Sequence, residues 1–344
     1  MIIIMEQTAS QFEVEALIQS IELEGLQAFL NQGVERTVIA VLGVVNTDKA
    51  GLSDKWSIFP GVERISLVSE PYKLASRAQK PKGTTINIRG QKVGSKEIVV
   101  IAGPCSVESR EQTLAIAQAV KDAGAHMLRG GAFKPRTSPY AFQGMGEKGL
   151  QILAEARDLT GLPIVTEVMD ENDCDVSVRY ADVLQVGARN MQNFRLLKKL
   201  GTVKCPILLK RGFGCKIEDL LMAAEYIMAA GNQRVLLCER GIITFETATR
   251  FTTDINAVPV IKHQSHLPVI LDPSHATGDA KYISSISLAG IAAGCDGLEI
   301  EVHNNPKAAL SDSAQALTPD KFAELMKQIK RVALAVDRTV NTIK

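Results

Sequence analysis

The sequence predicts an α/β protein in which a (β/α)8 TIM barrel follows a small ferredoxin-like α+β domain. From about residue 98, short apolar runs rich in β-branched residues alternate with segments of helical spacing, the pattern of a parallel sheet covered by helices. The alternation repeats eight times in roughly 245 residues, which favours a closed barrel over an open sheet. The first 70 or so residues follow a different order of elements, which indicates a separate domain.

The N-terminal domain is predicted to span residues 1–72. Its elements are expected in the order strand, helix, strand, strand, helix, strand, which is the ferredoxin-like order. They correspond to "MIIIM", "QFEVEALIQSIELEG", "LQAFLN", "ERTVIAVLG", "DKAGLSDKWSIF" and "VERISLV". Residues 73–97 are predicted to form a linker and a hairpin, "TINIRGQKVG", that covers the bottom of the barrel. The catalytic barrel is then placed at 98–344.

Eight barrel strands are predicted from the apolar runs. They are "EIVVIAGPCS", "HMLRGGAF", "PIVTEV", "VLQVGAR", "PILLKRG", "VLLCERG", "PVILDPSH" and "GLEIEVH". The helices are expected at "REQTLAIAQAVKDAG", "EKGLQILAEARDL", "DCDVSVRYA", "NFRLLKKLG", "IEDLLMAAEYIMAAG", "ATRFTTDINAVPV", "YISSISLAGIAAG" and "PDKFAELMKQIKRVALAVDR". Several of these helices end in Gly just before the next strand, which is a common C-terminal signal.

Composition and charge argue against several classes of protein. The formal net charge is +1, so no overall basic field favours nucleic acid or an anionic membrane. No apolar run approaches the ~18 residues of a membrane span. The six cysteines form no C-x-x-C pair, and "MIIIM" is too short for a signal peptide. We therefore expect a cytoplasmic protein with reduced thiols and without nucleic-acid or membrane partners.

Charged side chains occur at nearly every predicted strand end, where a barrel of this kind has its reacting groups. One such arginine could simply pair with a nearby carboxylate, but several cations on one rim repel each other unless an anion lies between them. Arg and Lys match phosphate and carboxylate oxygens in geometry and charge. The pattern therefore predicts a small polyanionic substrate. The cations are Arg129, Lys134, Arg136, Arg189, Lys210 and Arg240.

A second group of residues, Cys105, His275, Glu301 and Asp312, has the donor set of a divalent metal site. One thiolate, one imidazole and two carboxylates suit Mn²⁺, Fe²⁺, Co²⁺ or Zn²⁺. The first, seventh and eighth strands become neighbours when a barrel closes, so these side chains can meet. Each residue alone also has a structural explanation. Cys105 could be a buried small apolar residue, His275 a helix-cap residue and Asp312 an N-cap. His303, two residues beyond Glu301, points to the same side as Glu301.

Other polar residues and the remaining cysteines have structural explanations. Asp272 and Gly278, within "DPSHATG", are expected to form a turn on the catalytic face. The five cysteines other than Cys105 have no partner pattern and are expected to be inert. A disulfide at Cys105 is disfavoured in a chain of this kind.

Taken together, the motifs resemble the 3-deoxy-D-arabino-heptulosonate 7-phosphate synthases over roughly residues 72 to 340. The stretches that carry the resemblance are "IAGPCSVES", "LRGGAFKPRTSPYAFQGMG", "VLQVGARNMQNFRLLKKLG", "LLKRGF", "CERG", "ILDPSHATG" and "EVHNNPKAALSD". The first 70 residues resemble the ferredoxin-like regulatory domain that one subgroup of this family carries. Within "CERG" and its continuation the chain departs from the family, because Ile242-Ile243 stands where Ile-Arg is usual.

The resemblance implies that phosphoenolpyruvate condenses with erythrose 4-phosphate and releases phosphate, the first step of the shikimate pathway and of aromatic amino acid biosynthesis. It places the metal on Cys105, His275, Glu301 and Asp312. It implies that Arg129, Lys134, Arg189, Lys210 and Arg240 bind phosphoenolpyruvate. Erythrose 4-phosphate is expected at Pro135, Arg136, Thr137 and Ser138. Catalytic roles are expected for Lys134, Glu167 and His303.

Two alternative functions remain open at this point. The 3-deoxy-octulosonate 8-phosphate synthases share the barrel and phosphoenolpyruvate, but they show a K-A-N-R-S-S-type loop where this chain has "KPRTS". A barrel that has lost catalysis and serves as an amino-acid sensor is the alternative from another class. It is disfavoured because all four metal ligands and all the cations are present.

The N-terminal domain carries no catalytic constellation of its own. It is either a folding or dimerisation appendage or a feedback domain that binds tyrosine or phenylalanine between two copies. In the second case, a domain docked across the barrel mouth would block substrate entry. We expect the effector to be an aromatic amino acid and the protein to be a homo-oligomer, namely a tetramer.

Overall fold

The computed structural model describes residues 1–32, 37–42, 44, 49–66, 71–134, 138 and 140–341. The chain divides into two compact units, Met1–Pro71 and Tyr72–Lys344. Among the described residues, no helix combines the length and the apolar character needed to cross a membrane.

The Met1–Pro71 unit is a four-stranded antiparallel sheet with two helices. Its elements are β1 (Ile2–Met5), α1 (Gln11–Leu23), β2 (Gln27–Gln32), β3 (Thr37–Leu42), α2 (Lys49–Ser57) and β4 (Val62–Ser66). The sheet order is β2-β3-β1-β4, as in a ferredoxin-like fold. Ser10 caps α1 in a capping box with Glu13, which satisfies backbone N–H groups that the helix itself cannot. Ile3, Leu17 and Trp56 are buried in its core.

The Tyr72–Lys344 unit contains a closed barrel of eight parallel strands, so the predicted fold class is confirmed. A hairpin of β5 (Ile86–Ile88) and β6 (Gln91–Val93) precedes the barrel. The barrel strands are β7 (Val99–Gly103), β8 (Met127–Arg129), β9 (Ile164–Val168), β10 (Val183–Val186), β11 (Ile207–Lys210), β12 (Val235–Glu239), β13 (Val269–Leu271) and β14 (Gly297–Glu301). Strand β14 pairs with both β13 and β7, which closes the barrel.

Helices surround the barrel. They are α3 (Arg110–Ala123), α4 (Glu147–Thr160), α5 (Glu171–Ser177), α6 (Phe194–Gly201), α7 (Ile217–Ala229), α8 (Ala257–Gln264), α9 (Pro273–Thr277), α10 (Ala280–Ala292) and α11 (Pro319–Ala335). The helix predicted over "ATRFTTDINAVPV" begins only at Ala257, later than expected. Before it, Arg250 and Phe251 donate backbone N–H bonds to Thr277 and Ala276 at 3.0 and 2.9 Å, so this segment is tied to the α9 region.

The barrel interior changes from apolar to polar or charged along most of the strands. Alternate residues of a strand point to the same side, and one set of alternate positions forms an apolar cluster inside the barrel. This cluster includes hairpin residues, so the hairpin closes the end opposite the strand C-termini. The cluster consists of Ile86, Ile88, Val93, Val99, Ile101, Met127, Val165, Val183, Leu208, Leu236, Cys238 and Ile270.

Residues 72–79, which the sequence analysis placed mostly in a linker, pack against the barrel instead. Tyr72 and Ala75 are buried in the core between the barrel and its helices. The Glu225 carboxylate accepts hydrogen bonds from the backbone N–H groups of Leu74 and Ala75, both at 2.9 Å. The Ser265 hydroxyl donates to the Ala75 carbonyl. This segment therefore belongs to the barrel unit.

The hairpin should contribute measurably to barrel stability. Ile88 is 2% exposed and packs in the interior cluster, so Ile88→Ala should lower the free energy of unfolding by about 2–5 kcal/mol. The matched control is Lys92→Ala on the exposed side of the same hairpin, which should change it little. Denaturant titration of both variants checks this. Equal stability of the two variants would show that the hairpin does not seal the barrel.

Candidate active site

A cavity of about 180 Å³ lies at the C-terminal ends of the barrel strands. Its position follows from the strand periodicity, because each polar lining residue on a strand lies two residues beyond an interior apolar one. Glu167 follows Val165, Gln185 follows Val183, and Lys210 follows Leu208. The described lining residues are Lys134, Glu167, Gln185, Gly187, Ala188, Arg189, Lys210, Phe213, Arg240, Arg250, His275 and Asp312.

A buried network of ion pairs forms the floor of this site. Arg129 contacts Glu299 at 3.1 Å through Nε and Glu301 at 2.5 Å through Nη1. Lys210 Nζ lies 2.9 Å from the other Glu299 oxygen and 2.6 Å from Asp272 Oδ2. All five side chains are almost completely excluded from solvent. Two of the predicted substrate cations are therefore already compensated by carboxylates of the chain itself.

The pKa shifts in this network follow from burial and from the neighbouring charges. Burial alone would lower the pKa of Lys210, but the carboxylates of Asp272 and Glu299 outweigh it and raise that pKa. Burial alone would raise the pKa of Asp272, yet His275 and Lys210 hold it well below its usual range. Lys210 and Asp272 thus remain charged in a low-dielectric interior.

The four predicted metal ligands converge beside this network. The Cys105 thiol donates to Asp312 Oδ2 at 3.1 Å, and His275 Nε2 lies 3.3 Å from Glu301 Oε1. Ligand atoms of Cys105, Glu301 and Asp312 all lie within 4.8 Å of one another. Burial and the Glu301 carboxylate raise the pKa of Cys105 to about 12.

Asp272 orients the imidazole of this cluster. Its Oδ1 accepts the His275 backbone N–H at 2.9 Å, and its Oδ2 lies 2.7 Å from His275 Nδ1. A proton on Nδ1 leaves Nε2 free to act as a metal ligand, the arrangement that carboxylate–histidine pairs give at metal sites. The thiol, imidazole and carboxylate donors fit a borderline divalent ion. Asp272, expected only as a turn former, is thus an integral part of the site.

Arg240 is the cation most clearly available for a ligand. It is 5% exposed, and among the described residues its Nη1 has no hydrogen-bond partner. Its guanidinium carbon lies 4.3 Å from the centre of the Phe251 ring and 5.5 Å from that of Phe213. Burial, together with the positive Arg250 and Arg189, lowers the pKa of Arg240 against the opposing effect of Asp272. An anion between these arginines would relieve that repulsion.

Two glycines let the side chains of Lys134 and Glu167 reach their places. Lys134 Nζ donates to the Cys105 carbonyl at 2.8 Å and lies 3.2 Å from the Cys105 sulfur. A Cβ on Gly131 would stand 2.9 Å from Lys134 Nζ and 2.8 Å from its Cδ. A Cβ on Gly187 would meet Glu167 Oε1 at 2.1 Å. Any side chain at either position would displace a candidate catalytic group.

Among the described residues, Ser138 and His303 do not line the cavity. Pro135, Arg136 and Thr137 lie outside the described residues, and Ser138 is exposed. The buried His303 faces Glu108, with Nε2 and Oε2 3.5 Å apart, and is not among the described residues that line the cavity.

Several site residues were missed by sequence reasoning. Glu299 was detectable, because "EIE" places two carboxylates on the same side of a buried strand. Gln185 was detectable in the same way, two residues beyond Val183. Phe213 and Arg250 carry no such signal. Arg250 donates to Asp312 Oδ1 at 3.1 Å and to Gln315 Oε1 at 3.0 Å from a segment that was expected to be helical.

The fold and the site define a barrel enzyme whose cation-lined cavity lies beside a cluster of candidate metal ligands. Comparison with known proteins then gives the family. Residues 76–337 match the DAHP synthetase I family, and residues 1–70 match the DAHP synthase ferredoxin-like domain. The chain therefore belongs to the DAHP synthetase I family.

Individual relatives agree with this assignment. The chain is 45% identical to the phospho-2-dehydro-3-deoxyheptonate aldolase of Thermotoga maritima, over 99% of this chain and 100% of the relative. The crystal structure of that Thermotoga protein superposes with a TM-score of 0.80, covering 99% of each chain. A 2-dehydro-3-deoxyphosphooctonate aldolase of Syntrophotalea carbinolica is 31% identical over 72% of this chain and 93% of the relative.

The buried ion network should be sensitive to loss of one carboxylate. Glu299→Gln leaves Arg129 and Lys210 with less compensation in the interior, so it should lower the free energy of unfolding by about 3–5 kcal/mol. As a control, Glu324→Gln breaks an exposed pair with Lys327 and should have little effect. Chemical denaturation measures both. A Glu299→Gln protein as stable as the control would contradict the proposed role of the network.

Proposed function

We propose that this protein condenses phosphoenolpyruvate with erythrose 4-phosphate to give 3-deoxy-D-arabino-heptulosonate 7-phosphate and inorganic phosphate. This reaction is the first step of the shikimate pathway. The observation that carries the proposal is the buried Arg240, whose Nη1 has no hydrogen-bond partner among the described residues, within reach of a cluster of metal-binding side chains. Family membership and the full-length similarity to the Thermotoga aldolase support it.

Phosphoenolpyruvate fits the cationic half of the cavity. Its phosphate would lie among Arg189, Arg240 and Arg250, whose mutual repulsion it offsets. Its carboxylate would approach Lys134 and Lys210, which border the same cavity. Charge-assisted hydrogen bonds from several fixed cations are strong and directional. They would hold the enol carbon toward the second substrate and lower the entropic cost of bringing two anions together.

Cys105, His275, Glu301 and Asp312 would hold a divalent ion, which supplies Lewis-acid polarisation of the aldehyde when bound. Lys134 lies beside the Cys105 sulfur and is suited to donate a proton to the aldehyde oxygen as the new C–C bond forms. Glu167 borders the cavity and is suited to accept a proton from the water that adds at C2 of phosphoenolpyruvate. Phosphate then leaves with cleavage of the C–O bond. His303 is better placed to position its neighbours than to touch substrate.

The eight-carbon alternative is less well supported. The 2-dehydro-3-deoxyphosphooctonate aldolase relative covers only 72% of this chain, whereas the deoxyheptonate aldolase covers 99%, including the N-terminal domain. Ile243 is 63% exposed and borders a depression next to Arg189 and Phe213. We propose that this apolar position affects affinity for a substrate phosphate, since the family usually has Arg there.

Metal-dependent release of phosphate is the decisive test. Purified protein with both substrates and Mn²⁺ should release inorganic phosphate, and chelator should abolish the release. Cys105→Ser should lose metal binding, and its kcat/KM should fall by at least about 100-fold. Its circular dichroism spectrum should not change. Cys174→Ser, at a buried cysteine outside the cavity, serves as the matched control. Full activity of folded Cys105→Ser in chelator would refute the metal assignment, and absence of phosphate release in every condition would refute the function.

We further propose that residues 1–71 make the enzyme sensitive to an aromatic amino acid. They form a separate compact unit, and an effector acts only if it binds one state of the protein better than another. A solved truncated form of the Thermotoga synthase matches 78% of this chain with a TM-score of 0.74, which supports a barrel that folds alone.

A chain that begins at Tyr72 should therefore stay active and lose inhibition by tyrosine or phenylalanine. This starting point keeps Tyr72 and Ala75, which are buried in the barrel unit. Phosphate release by the full and truncated chains, with and without each amino acid at millimolar concentration, checks the prediction. Indifference of the full chain, or equal inhibition of both chains, would rule out feedback through this domain.

A further inference from the structure

Glu108 is a mostly buried carboxylate close to the metal-ligand cluster, and the chemistry proposed above does not use it. Its side chain is 11% exposed. Oε1 accepts the Leu310 backbone N–H at 2.8 Å and the Ser106 hydroxyl at 3.2 Å. Oε2 lies 3.5 Å from His303 Nε2. One carboxylate thus contacts three separate segments of the chain.

Each of these three segments carries a candidate metal ligand. Ser106 follows Cys105 directly, and Leu310 lies two residues before Asp312. His303 lies two residues after Glu301. The Ser106 and Ser311 hydroxyls are also 2.6 Å apart, which joins the Cys105 and Asp312 loops a second time. Contacts behind three of the four candidate ligands therefore link the segments that carry them.

The backbone at Asp312 needs such support. Asp312 has φ +47° in the left-handed region, which non-glycine residues adopt only at a cost unless their surroundings hold them. Leu310 and Ser311 are held by Glu108 and Ser106 on one side. Arg250 holds the Asp312 carboxylate on the other. Without Glu108, one of these two restraints is weakened.

The hydrogen-bond roles of His303 are consistent with this arrangement. Its Nδ1 accepts the Asn305 backbone N–H at 2.9 Å, so in the neutral ring the proton is on Nε2. Among the described residues Nε2 forms no hydrogen bond, and its contact with Glu108 Oε2 at 3.5 Å is electrostatic. His303 and Glu108 are both buried and form a contact that a glutamine could reproduce only in part.

We propose that Glu108 is a positioning residue that sets the spacing of Cys105, Glu301 and Asp312 and thereby the affinity and geometry of the metal site. The inference rests on the proposed metal centre and goes beyond it, because Glu108 is neither one of the four candidate metal ligands nor among the described residues that line the cavity. Residues that orient metal ligands typically contribute about 10- to 100-fold to metal affinity.

The test is titration of the metal-free protein with Co²⁺, followed by its thiolate charge-transfer and d–d absorption bands. Glu108→Ala should weaken Co²⁺ binding about 10- to 100-fold and change the d–d spectrum. Glu108→Gln, which retains one acceptor oxygen, should recover part of the affinity. Glu225→Gln is the matched control, since its carboxylate accepts two backbone N–H bonds on the outer helix layer, and it should bind Co²⁺ like the unaltered protein.

The outcomes separate the two proposals. If the unaltered protein gives no cobalt–thiolate band, the metal centre is refuted and the role of Glu108 falls with it. If the unaltered protein binds Co²⁺ and folded Glu108→Ala binds it with the same affinity and spectrum, only the role of Glu108 is refuted. Should Glu108→Ala fail to fold, Glu108→Gln and Ser311→Ala provide the same comparison, and unchanged Co²⁺ spectra in both would overturn the proposal.

Discussion

The central interaction of this molecule is the buried ion network in which Glu299 lies between Arg129 and Lys210. Charges removed from water are stable only when they are paired and hydrogen-bonded. In this network two cations form ion pairs with the three carboxylates of Glu299, Glu301 and Asp272. The Arg129–Glu301 and Lys210–Asp272 pairs are also hydrogen-bonded, whereas Glu299 contributes charge alone, since among the described residues its oxygens have no hydrogen-bond partner. It also fixes the positions of the functional groups, because Glu301 belongs to the metal-ligand cluster and Lys210 borders the cavity.

In the barrel, the residues that stabilise the fold and the residues that line the cavity lie at opposite ends of the interior. One end of the interior is apolar and is closed by the β5–β6 hairpin, which buries Ile86, Ile88 and Val93. The other end is charged and open to the cavity. Because side chains alternate with a period of two, one step of two residues leads from an apolar layer to a functional one. The same strands can therefore supply a rigid core and a reactive surface without conflict.

Much of the fold and part of the site could be predicted from the sequence, for identifiable reasons. Alternating apolar strands and helices give the barrel, and residues at or just beyond the strand ends give Arg240 and the four candidate metal ligands, which the structure places close together. The roles of Asp272 and Arg250 could not be predicted, since they depend on contacts between distant segments. Asp272 has the composition of a turn former, yet it orients His275 and pairs with Lys210. Arg250 lies in a segment with helical spacing that tertiary hydrogen bonds hold out of a helix.

These long-range contacts also connect the metal-ligand cluster with the cation-lined cavity. Asp272 contacts His275 in the metal-ligand cluster and Lys210 at the cavity. A change of charge at either neighbour therefore changes the electrostatic environment of the same carboxylate. Arg250 forms a second connection, since it donates to Asp312 and borders the cavity near Arg240. Two groups that share a charged partner cannot bind their ligands with independent free energies. The affinities for metal and for the anionic substrate are therefore expected to depend on each other, with the coupling carried by Asp272 and Arg250.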